Sequence, residues 1–134
     1  MQPNSSNPPF ISSQRIAQMI LILLALIAFW GSLLQMWLGQ PDTTPRLDNI
    51  HRFLAGIYGG CGIICLWTAI TIQTQKTLVY LIALAVFLGA CGRLWSIAVV
   101  GLPDPKPLWI SYLLAEIILP ILLVFVQRRR NRAS

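Results

Sequence analysis

Two side chains lie where chemistry is least expected. Arg93 is the only charged residue between Thr77 and Val100, and Glu116 is the only one between Leu108 and Val126. Both stretches are otherwise apolar. An ionisable group within such a stretch marks function by default, because a central charge costs roughly 2.5–3.5 kcal/mol on membrane-insertion scales. The connector is Gly101-Leu102-Pro103-Asp104-Pro105-Lys106-Pro107. If the chain folds back about Asp104, Arg93 lies 11 residues before the fold and Glu116 12 after it. At a rise of about 1.5 Å per residue the two reach nearly the same depth. The expectation is an intramembrane ion pair. It could fix which helix faces which, or Glu116 could exchange a proton for a cation beside Trp109 and Tyr112.

Other chemistry finds little support. His51 and Asp48 could be a base and its orienter, but an interfacial histidine and a helix cap explain them equally. His51 and Arg52 join Arg93 and Glu116 as candidate polar-core residues. Cys61 and Cys65 share a helix face, yet no carboxylate lies near them, and with Cys91 they read as small packing residues. No Ser/His/Asp set, metal spacing or phosphate loop is present. The protein is therefore expected not to be an enzyme and to need no cofactor or metal.

The elements that must position the pair are set by composition. The 134 residues are 56% hydrophobic and only 10% charged, against about 25% charged in a soluble domain. The apolar residues gather into runs at about 16–38, 52–73, 77–100 and 108–126. Each is near the roughly 20 residues a spanning helix needs. Alternating polarity is absent, which excludes a β-barrel. The expected fold is all-α: four transmembrane helices in an antiparallel up-down bundle. Residues 1–15 read as a disordered leader and 127–134 as a basic tail, both cytoplasmic.

Helix packing should come from glycine. Gly56 and Gly60 form a GxxxG pair, which lets backbones approach closely. His51, Ala55, Gly59 and Gly62 line another stripe, expected on the same side of the helix. On the third segment Ala85, Gly89, Gly92 and Ser96 recur at helical spacing. The two prolines and two aspartates of Gly39–Ile50 should break any helix there, with Asp48 or Asn49 capping the second span. The short Thr74-Gln75-Lys76 connector predicts that the second and third spans are neighbours. Pro120 cannot donate to the Glu116 carbonyl, so a kink is expected at the acidic residue.

The net charge is +6. In a span-rich chain it marks flanking charge, and nucleic-acid binding is not expected. Arg128, Arg129, Arg130 and Arg132 would attract anionic lipid, at about 1 kcal/mol each. Arg15, Lys76 and those four arginines share one side; Arg46, Arg52 and Lys106 share the other. That asymmetry predicts a multi-pass protein with both termini cytoplasmic.

The blocks Arg52-Phe53-Leu54-Ala55-Gly56-Ile57-Tyr58, Phe87-Leu88-Gly89-Ala90-Cys91-Gly92-Arg93-Leu94-Trp95-Ser96, Gly101-Leu102-Pro103 and Glu116-Ile117-Ile118-Leu119-Pro120 resemble a bacterial four-helix membrane family. It is catalogued as domain of unknown function 4345. The resemblance covers about residues 31–126 and implies a fold but no activity. The family's recurring polar positions would map onto Arg52, Arg93 and Glu116, and Cys91 stands where a glycine or another small residue is expected. The functional expectation is a non-catalytic interaction or accessory subunit, in a homodimer or a larger membrane complex. The alternative is a small dimeric cation- or proton-coupled transporter using Glu116.

Overall fold

The computed structural model describes residues 12–39 and 42–133. They form four α-helices: α1 (Ser13–Leu38), α2 (Pro45–Ile70), α3 (Thr77–Val100) and α4 (Lys106–Ala133). Each is long and apolar enough to cross a membrane. Most of the expected leader, residues 1–11, lies outside the described residues. Its last residues do not: Ser12 caps α1 by accepting from the Arg15 amide at 3.4 Å, and the helix begins at Ser13.

Two further boundaries differ from expectation. α2 starts at Pro45, well before residue 52, because a proline at the first helical position gives up only an amide that has no intrahelical partner. Thr44, not Asp48 or Asn49, is its cap, accepting from the Leu47 amide at 3.3 Å. α4 continues beyond Val126 to Ala133. The basic tail is therefore helical up to that point. It contains no glycine or proline, and arginine is a good helix former.

The hydrophobic core sits at one end of the bundle. It joins the start of α1 (Ala17, Ile20, Leu21, Leu24), the end of α2 (Cys65, Ala69), the start of α3 (Val79, Ile82, Ala83) and the end of α4 (Leu123, Val126). The outside of the bundle is apolar as well. Trp37, Trp95, Ile70 and Val100 are largely exposed, as expected of surfaces that lipid covers.

α1 packs most extensively on α2 through small residues: Ala25, Ala28 and Gly31 on one side, Ala55, Gly59 and Gly62 on the other. Each of these two helices meets the end of the other with its start. Gln18 donates to the Ala69 carbonyl at 2.9 Å, and Arg52 to the Met36 carbonyl at 2.5 Å. α3 packs on α4, and α4 on α1. α2 and α3, despite their short connector, barely touch. The turn ties their ends but sets no constraint on the angle at which two long helices leave it.

Arg130 closes that turn. Its Nη1 donates to the Ile72 carbonyl at 2.7 Å and its Nη2 to the Gln75 carbonyl. These are carbonyls that no helix satisfies. Arg130→Ala is expected to lower stability by about 1–2 kcal/mol, from the loss of two charge-assisted bonds at a partly exposed site. Lysine should restore little, since it lacks the planar fork. Thermal unfolding in mild detergent checks both.

Candidate functional site

The polar site lies in the half of the bundle away from the dense core. Arg93, on α3, meets Glu116, on α4. Arg93 Nε donates to Glu116 Oε2 at 2.9 Å and Nη2 to Oε1 at 2.6 Å. This is the bidentate fork that gives arginine–carboxylate pairs both strength and direction. Glu116 is 7% exposed. In a low-dielectric setting the pair leaves no net charge for the surroundings to solvate.

Two aromatic elements frame the guanidinium. Trp109 and Tyr112, two turns and one turn before Glu116 on α4, lie with ring centroids 5.6 and 5.9 Å from Arg93 Cζ, within range of a cation–π attraction. Trp109 is anchored by its indole N–H, which donates to the Asp104 carbonyl at 3.3 Å. The turn thus positions the ring that positions the arginine.

Tyr58, on α2, completes the set, its hydroxyl donating to Glu116 Oε1 at 3.3 Å. It can approach because α1 presents Gly31 there: a Cβ on Gly31 would sit 3.3 Å from the Tyr58 ring. Tyr58 was not among the residues expected from sequence. Its signal was available, since a tyrosine in the body of a span is out of place for a residue that favours the membrane interface.

The other two candidate polar-core residues are not brought to this site. Arg52 bonds Asp48 at 2.8 Å and the Met36 carbonyl. It ties the first turn of α2 to the unsatisfied carbonyls at the end of α1. His51, its half-buried neighbour, is likewise in the first turns of α2. Pro120 is buried inside α4, which continues through it.

The glycines divide differently from expectation. A Cβ on Gly59 would meet Ser32 Oγ at 2.9 Å, and one on Gly62 would meet the Phe29 ring at 3.0 Å. Those two hold α1 against α2. Among the described residues a Cβ on Gly60, Gly89 or Gly92 would meet nothing within 4 Å, and one on Gly56 only the Met36 methyl at 3.8 Å. Within the described residues Gly60, Gly89 and Gly92 thus receive no neighbouring helix, and Gly56 only the end of the Met36 side chain from α1. The cysteines divide too, with Cys65 buried and Cys61 and Cys91 exposed. Among the described residues no three of His, Cys, Asp or Glu gather as metal ligands.

A cavity of about 360 Å³ adjoins the pair. It opens where α2 and α3 separate, with Cys61, Ile64, Leu81 and Gly89 exposed along it. Its walls are apolar except where Tyr58, Arg93, Tyr112 and Glu116 contribute to them.

Fold and site together define a four-helix protein of the membrane-spanning type, with one ion pair buried between its last two helices. Residues 16–127 match the family described as Domain of unknown function (DUF4345), and the chain belongs to that family. No curated protein matches the chain, and no solved structure does.

Proposed function

We propose that the protein is a non-catalytic interaction or accessory subunit of a membrane complex, with the Arg93–Glu116 pair holding its second hairpin in shape. The observation that carries this is the idle GxxxG pair. Gly56 and Gly60 leave a smooth strip on α2, and a Cβ on Gly60 would meet nothing within 4 Å among the described residues. Small residues help membrane helices associate only when a second helix lies against them. The strip therefore suits a helix from a second copy or from another subunit. The basic asymmetry supports a cytoplasmic location for both termini. There Arg128, Arg129 and Arg132, all exposed, are free to meet anionic lipid, while Arg130 serves the α2–α3 turn.

Co-purification in mild detergent tests the reading. A stable complex is expected, and Gly60→Leu should abolish it while leaving the subunit folded. A complex indifferent to Gly60→Leu would remove the strip from the interface. The transporter reading is favoured by one observation, the cavity that reaches Glu116. Against it stands the occupation of both carboxylate oxygens by Arg93. A free dimer in which an added cation protects Glu116 from carbodiimide would support transport instead.

A further inference from the structure

The cavity between α2 and α3 has walls and an end of different chemistry. Leu24, Cys65, Leu78, Ile82 and Val86 supply hydrocarbon. Ala85 and Gly89, expected from their spacing to receive a neighbouring helix, instead leave room for the cavity. In a bilayer such walls select nothing, because the surrounding lipid tails are equally apolar. Selection must come from the polar end.

At that end the donors and acceptors can be counted. Arg93 spends Nε and Nη2 on Glu116, and Tyr58 spends its hydroxyl proton there. Among the described residues, Arg93 Nη1 and the Tyr112 hydroxyl have no hydrogen-bond partner. What is left is donor capacity, since a guanidinium can only donate and a phenol readily does. The charge is already balanced within the pair. A ligand suited to this end brings an accepting oxygen and no charge.

Depth and volume narrow the class. Arg93 lies about 10 Å below the end of its helix, at about 1.5 Å per residue. A charged headgroup at that depth is costly, which argues against a phospholipid seated by its phosphate. A volume of about 360 Å³ holds roughly a dozen water-sized groups at about 30 Å³ each. It lies within the range of small-ligand pockets.

We propose that this cavity is a binding site for an uncharged, single-chain lipophile with a carbonyl oxygen at one end, which accepts from Arg93 Nη1 and the Tyr112 hydroxyl while its chain lies along Ala85 and Gly89. Entry is lateral, from the membrane, through the gap between α2 and α3. The site is independent of the Gly56–Gly60 strip.

Photolabelling tests it. The full chain in phosphatidylcholine nanodiscs is labelled with a diazirine-bearing analogue of 2-dodecanone. Competitors are 2-dodecanone, dodecane and dodecanoate. Saturable labelling of peptides lining the cavity is expected, displaced by 2-dodecanone and at least tenfold less well by the other two. Gly89→Leu should fill the cavity and reduce labelling at least tenfold. Tyr112→Phe removes one hydrogen bond and should weaken binding roughly threefold to tenfold. Its hydroxyl has no hydrogen-bond partner among the described residues, so this variant stays informative even if Gly89→Leu fails to fold. Non-saturable labelling would overturn the proposal, and so would equal competition by dodecane, because the polar end would then select nothing. Preference for dodecanoate would overturn the uncharged class. Labelling unaffected by Tyr112→Phe would remove the polar end from the site.

Discussion

Replacing Arg93 by leucine is expected to destabilise the protein by about 3 kcal/mol, at the low end of the range for breaking a buried pair because Arg93 itself is only partly buried. The loss comes mainly from what is left behind. Glu116 keeps one partner, Tyr58 at 3.3 Å, and stays 7% exposed with its carboxylate otherwise unanswered. Glu116→Leu should cost less, about 2 kcal/mol, because the stranded guanidinium keeps the faces of Trp109 and Tyr112. The double variant should recover at least half of the Arg93→Leu loss, since two apolar side chains of similar volume leave nothing unpaired. Detergent-titrated unfolding of the four proteins measures the cycle. Losses that simply add would show that the two residues act apart, despite the 2.6 Å contact between them.

That pair was legible from the sequence because depth can be counted. Two helices meeting at a proline-rich turn have a common origin, and residues equidistant from it meet. The four helices were legible for a similar reason, since run length alone separates a span from a core helix, and α3 runs over the expected 77–100. What the sequence could not carry was direction around the helix axis. α2 holds two small-residue stripes, Gly56–Gly60 and Ala55–Gly59–Gly62, and spacing alone ranks them equally. The structure assigns α1 to the second. The splaying of α2 from α3 was hidden as well. A short connector fixes proximity at one end only, and the cavity follows from what the helices do beyond it. The start of α2 differs from expectation for a local reason: Pro45 reads as a breaker in the sequence, but the Thr44 hydroxyl before it makes it a helix start.

The two stripes differ enough to give opposite outcomes for the same substitution. Gly62→Leu is expected to destabilise by about 3 kcal/mol, the upper end of the cost of overpacking. A Cβ at Gly62 would stand 3.0 Å from the Phe29 ring and 3.3 Å from the Ala25 carbonyl oxygen. The ring can turn away, but the carbonyl belongs to the backbone of α1 and moves only if the helices part. Parting them also withdraws Tyr58, which reaches Glu116 across Gly31. The site should therefore loosen with the packing. Gly60→Leu, two residues away, places its Cβ where nothing among the described residues lies within 4 Å. It should leave the subunit as stable or more so, since leucine is better than glycine in a helix by up to about 1 kcal/mol. Unfolding of the two single variants side by side decides the matter. Equal stability would mean that α1 does not approach α2 at Gly62. A loss at Gly60 in the isolated subunit would mean that the outward strip is already covered by the chain itself, leaving no place there for a second helix.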